Sequence, residues 1–113
     1  MSRRNALLAA PPHAVEQAVK RLGANLRTAR LRRGLTLAQV AEKLGTGVRT
    51  VAAAERGNPS TGMDVYAGLL WAFDLLEPLE RLADPGADSE GQALALSREP
   101  TRARPPKGLD DDF

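Results

Sequence analysis

The sequence predicts an all-α fold of five helices in one small domain, and three observations predict it. Two short helical patterns flank a Gly-Thr-Gly turn between Leu35 and Gly57. Apolar residues recur at helical spacing from Val15 to Leu31, and capping residues, glycines and prolines stand where the patterns stop. At 113 residues, the chain is expected to form one helical core with tails and is too short for a multi-domain enzyme.

Residues 1–11 read as a flexible arm, and Pro12 suits a first helical turn. Val15, Val19, Leu22, Leu26 and Leu31, with helix formers between them, predict one long helix to about Arg33, closed by Gly34. Gly23 weakens its centre, so the helix is expected to bend or start late there. Thr36 can cap a second helix beginning at Leu37, with Gln39 three residues on as a capping-box partner. Val40, Ala41 and Leu44 share one face of that helix, and Gly45 can turn left-handed to end it. A third helix runs from about Val48 to Arg56 with Val51 and Ala54 inward, stopped by Gly57 and Pro59.

Asn58 to Gly62 reads as a loop, and a fourth helix follows to about Asp74. Met63, Tyr66, Leu70 and Phe73 form its core stripe, while Val65, Leu69 and Trp71 lie off that stripe. Leu75 to Ala83 adds a fifth helical pattern, with Pro78 in its first turn. The surplus apolar side chains, Val65, Leu69, Trp71, Leu75, Leu76 and Leu79, either complete a tight monomer core or form a homodimer or partner interface. The interface is the reading adopted. The domain therefore spans 12–83, with the helix–turn–helix at 36–56, followed by a mostly disordered tail at 84–113 rich in Pro, Gly and charge. Gln92 to Leu96 could form a turn of helix or a short strand when held by a partner, but has too little apolar surface to order alone. Asp110, Asp111, Asp112 and Phe113 end the chain, either as a solvated tail or as a recognition peptide whose terminal aromatic ring anchors in a partner's pocket.

Two short helices around a glycine turn are either an ordinary αα-hairpin or a motif that places its second helix in a DNA groove. Charge separates these readings. From Lys20 to Arg56, nine basic residues face two acidic ones, a net of +7, whereas from Gly57 to Glu99 two basic residues face eight acidic ones, a net of −6. The overall charge of +2 conceals a dipolar chain whose basic half coincides with the motif, as phosphate neutralisation requires. In a docked motif the first turn of the second helix reaches base edges, which makes Val48, Arg49 and Thr50 the first candidates.

The residues carry no catalytic set. His13 is the one histidine, cysteine is absent, and no Ser/His/Asp set, metal-ligand cluster or phosphate-cradling glycine loop is present. No apolar run approaches a membrane span, and the apolar stretch near the start is too short for a signal peptide. The expectation is a soluble cytoplasmic protein that is not an enzyme and takes neither cofactor nor metal.

LGANLRTARLRRGLTLAQVAEKLG and the Glu55-Arg56-Gly57 that closes the third helix carry a family pattern. Over about Leu22 to Leu76, the chain resembles the lambda-repressor-like, or Xre, family of small bacterial and phage regulators. Within it, LLEPLERLADP and the RARPP of the tail are similar to antitoxins of the HipB type, which partner a HipA-type kinase toxin. The resemblance implies a five-helix DNA-binding domain in which Arg30 and Glu55 pair to tie the first helix to the end of the recognition helix. It assigns base reading to Val48, Arg49, Thr50 and Ala53.

The chain departs from the family at several positions. Leu37 stands where a glutamine is common and Gly47 where Ser or Thr caps, and Ala52 and Ala53 lack polar groups. Arg49 is then the side chain that can grip guanine O6 and N7, with Thr50 on a base or phosphate and Val48 on a thymine methyl. Arg27, Arg32, Arg33, Thr36, Lys43, Gly47 and Arg56 are the candidate backbone contacts. The implied partners are a palindromic operator in double-stranded DNA, a second copy and a HipA-like kinase toxin, giving a nucleoid-associated repressor and antitoxin. The alternatives are a standalone regulator of the family, or a protein-binding module with a weakened reading helix.

Overall fold

A computed structural model describes residues 6–98, all of whose regular structure is helical. The helices are α1 (Ala6–Ala9), α2 (His13–Arg32), α3 (Leu37–Leu44), α4 (Val48–Glu55), α5 (Met63–Ala72), α6 (Glu77–Glu80) and α7 (Ser89–Ser97), with a 3-10 turn at Pro85–Ala87 before α7. They fall into two units that divide between Glu80 and Arg81.

In the first unit, sequence punctuation becomes backbone geometry. Thr36 accepts from the Gln39 backbone N–H at 3.0 Å while the Gln39 side chain accepts from the Thr36 N–H at 2.8 Å, a complete capping box at the start of α3. Gly34, Gly45 and Gly57 all adopt positive φ, ending α2, α3 and the α4 segment. α5 closes on Phe73 and is followed by Asp74 at φ 62°, a left-handed conformation that a short polar side chain tolerates.

The core gathers Leu26 and Ala29 of α2, Val40 and Ala41 of α3, Val51 and Ala54 of α4, Tyr66 and Leu69 of α5, and Phe73. α4 packs against α2, α3 and α5, so the second helix of the motif rests on the rest of the unit. α2 runs without interruption through Gly23, which corrects the expected late start. A Cβ there would lie 2.5 Å from the Ala54 carbonyl oxygen and 2.7 Å from that of Glu55. The glycine's cost in propensity is offset by a close approach of α2 to the end of α4.

On α5 the expected stripe holds at Tyr66 and Phe73, which are buried, with Leu70 packed against the core. Leu69, expected off the stripe, is fully buried too, whereas Met63 is 63% exposed. Helical spacing alone gave no way to choose between two apolar faces, and the packing of α3 and α4 selects the one bearing Leu69.

The structure adds two helices to the five expected. α1 lies within the stretch read as an arm, and α7 within the stretch read as a tail. In the second unit no residue of α7 is buried, so local hydrogen bonding shapes it. The Asp88 carboxylate caps it by accepting from the Gly91 N–H at 3.0 Å, and Gln92 Nε2 donates to the Pro85 and Gly86 carbonyls at 2.9 and 3.2 Å. Burial arithmetic does not include such caps. α6 is shorter than the helix expected from Leu75 to Ala83, and Ala83 at φ 59° turns the chain before Asp84-Pro85-Gly86.

Candidate nucleic-acid interface

Recognition by a helix requires one face locked to the protein and the opposite face free. In α4, Val51, Ala54 and Glu55 are buried, while Val48 is 43% exposed and Arg49 and Arg56 are exposed. Arg49, Ala53 and Arg56 follow one another at spacings of four and three residues and so share the outer face. Thr50 and Ala52 are half-buried along its edges, and Ala53 is half-buried within it.

The locking is ionic as well as apolar. Arg30 Nε donates to Glu55 Oε2 at 2.6 Å and Nη2 donates to Oε1 at 3.0 Å, a buried two-point pair between α2 and α4. Nη1 donates to the Leu35 carbonyl at 2.8 Å, so one guanidinium joins α2, α4 and the segment leading into α3. The hydrogen bond that Arg30 donates to Glu55 raises the Arg30 pKa further, against the desolvation of its charge.

The turn between α3 and α4 leaves the start of α4 open. Gly47 is the N-cap without a side-chain hydrogen bond, and nothing stands within 4 Å of the place a Cβ would occupy. The first backbone amides of α4 are therefore uncapped by a side chain beside an unobstructed surface.

The candidate backbone contacts separate into two groups. Arg27, Arg32 and Arg56 are exposed, and among the described residues their side chains have no hydrogen-bond or ion-pair partner. Arg49 is equally free among those residues. Arg33 is engaged, with Nη1 donating to the Ala29 carbonyl at 2.9 Å and Nη2 to the Phe73 carbonyl at 2.9 Å, and its guanidinium 5.4 Å from the centre of the Phe73 ring. It fastens the end of α5 to α2, so two of its donor groups are already in use. Lys43 also has a neighbour, its Nζ 5.5 Å from the centre of the Trp71 ring. Thr36 is occupied in the capping box of α3.

Of the side chains read as a dimer or partner interface, Trp71 is 55% exposed and Leu75 39% exposed, while Val65, Leu76 and Leu79 are half-buried. Leu69 is withdrawn from that set, since it has no surface to offer. Asp110, Asp111, Asp112 and Phe113 lie outside the described residues.

Sequence spacing missed Arg33 as a clamp and Gly23 as a packing contact. A basic residue one place before a helix-ending glycine is a weak signal for such a clamp, and a glycine inside an otherwise apolar stripe is a better signal for close packing. Among the described residues, no group of three or more His, Cys, Asp or Glu is placed to hold a metal, and no helix is long and apolar enough to cross a membrane. Residues 21–83, more than half of the chain, match a family model described as a helix-turn-helix domain. Comparison with curated proteins and with solved structures returned no match.

Proposed function

The chain belongs to the helix-turn-helix domain family and is a DNA-binding regulator, and from that premise we propose that it is a dimeric, sequence-specific transcriptional repressor. The observation that carries the reading is the outer face of α4, where Arg49, without a partner among the described residues, stands on a helix whose other side is locked by Val51, Ala54 and the Arg30–Glu55 pair. Arg49 reads a guanine by two hydrogen bonds, Val48 touches a thymine methyl, and Thr50 bonds a base or phosphate, with Ala53 closing the face. Arg27, Arg32 and Arg56 contact phosphates, and the open start of α4 at Gly47 receives another at its backbone amides.

A single two-point base contact provides about 1–3 kcal/mol of discrimination, which is thin for selecting an operator. A second copy doubles it across two half-sites about one helical turn apart, so the operator is palindromic. The exposed Trp71 and Leu75, with the half-buried Val65, Leu76 and Leu79, supply that dimer contact. The direct test measures the salt dependence of binding to duplex DNA. Replacing Arg27, Arg32 or Arg56 by Ala should reduce the slope of log K against log salt by about 0.9 for each phosphate left without its arginine. An unchanged slope in all three variants refutes the phosphate assignment.

A second reading adds protein binding. α7 exposes Leu94 (50%) and Leu96 (67%) on a helix with no buried residue, as a segment kept for a partner would. On this reading the chain is also the antitoxin of a HipA-like kinase. Deleting residues 89–113 should abolish co-purification with such a kinase and leave DNA affinity intact, whereas retained binding rules out the segment.

A further inference from the structure

Away from the outer face of α4, the first unit holds an apolar cavity of about 190 Å³. Leu8 of α1, Val15, Val19 and Leu22 of α2, and Met63 and Tyr66 of α5 supply most of its wall, and Pro59 and Thr61 of the loop between α4 and α5 complete it. No charged residue lines it, in a chain of which 27% is charged. The Tyr66 hydroxyl of the wall is engaged, donating its hydrogen to the Asn58 carbonyl at 2.9 Å.

These features select an occupant. A charged ligand would lose its hydration with no partner in the wall, so the ligand is uncharged. The five residues ahead of α1 read Met-Ser-Arg-Arg-Asn, and two arginines do not suit this lining. An apolar cavity of about 150 Å³ suffices to take up benzene.

We propose that this cavity binds a small uncharged molecule, a one-ring or two-ring aromatic or a branched aliphatic, as an effector. The effector role follows from the wall it touches. Pro59 and Thr61 belong to the segment that ends the recognition helix, where the Asn58 N–H donates to the Ala53 carbonyl at 3.0 Å and the Thr61 N–H donates to the Asn58 carbonyl at 3.1 Å. An occupant pressing on that loop shifts the end of α4. Binding is independent of the DNA reading, whereas the effector role rests on it.

The test titrates the full isotope-labelled chain with indole and with toluene by amide NMR. Saturable shifts centred on Val19, Thr61 and Tyr66 are expected with at least one probe. At least a tenfold loss of affinity is expected in Val15→Trp and in Met63→Trp, which place a ring at exposed positions of the wall and leave the circular dichroism unchanged. No saturable shift, shifts centred elsewhere, or unchanged affinity in both variants overturns the site. Loss of a dimer in Val15→Trp, read by sedimentation, would assign the cavity to a second copy and overturn it equally. The effector role is read separately as a change of threefold or more in DNA affinity when the site is saturated. Saturated binding with unchanged DNA affinity removes that role and leaves the site standing.

Discussion

Arg30 and Glu55, twenty-five positions apart, meet at 2.6 and 3.0 Å in a buried two-point pair that fixes α4 against α2. Removing one partner strands a buried charge, while removing both leaves a site that apolar side chains can fill. Glu55→Ala should therefore lower the unfolding free energy by about 3–5 kcal/mol in urea denaturation. The double variant Arg30→Met with Glu55→Leu should recover most of that loss. A double variant as unstable as the single one would show that the hydrogen bond to the Leu35 carbonyl matters more than the charge pair.

Arg33 makes the opposite kind of contact, reaching across to the Phe73 carbonyl and ring. Arg33→Ala should cost about 2–3 kcal/mol of stability, from two partly exposed charge-assisted hydrogen bonds, to the Ala29 and Phe73 carbonyls, and the cation–π contact. The salt slope of DNA binding should stay the same. A reduced slope with unchanged stability would return Arg33 to the phosphate contacts.

Gly23 poses a sign test, because alanine is the better helix former by about 1 kcal/mol. The Cβ of Gly23→Ala would stand 2.5 Å from a backbone oxygen of α4, which no rotamer change relieves. A net loss of about 1–2 kcal/mol is expected in thermal or chemical denaturation. A gain in stability would mean that α2 and α4 are not held this closely.

Tyr66 is the chain's one tyrosine, so its absorbance reports a single site. Burial raises its phenol above 10.0, opposed in part by the Thr61 hydrogen bond. With the folded value above the unfolded one, the linked stability is complete below pH 10.0 and falls as pH rises through the folded value. The tyrosinate midpoint should lie above 10.0, and Tyr66→Phe should remove this part of the alkaline decline. A midpoint at or below 10.0 contradicts the burial argument.

Much of the fold was legible because its signals are local. Thr36 with Gln39, and the glycines at 34, 45 and 57, mark helix ends through short-range geometry that spacing reveals directly. What depends on tertiary packing was not legible in spacing. Leu69 and Met63 are both apolar residues of α5, and the neighbouring helices alone decide that the first is core and the second exposed. The Arg30–Glu55 pair is legible only through the family resemblance, since no local rule links positions so far apart. At the candidate interface, sequence named the residue types but could not show that Arg33 is engaged by Phe73. α7 escaped because its cap and the Gln92 hydrogen bonds act without burial.

The central claim is that Arg49 on the outer face of α4 reads sequence. Duplexes enriched from a random pool by the parent chain provide the specific target, and fluorescence anisotropy at fixed salt gives the ratio of specific to non-specific affinity. Arg49→Ala should lower that ratio by about 1–3 kcal/mol per half-site, close to abolishing selection in a dimer, while non-specific binding changes little. A variant that keeps the parent's ratio would contradict the assignment of base reading to Arg49.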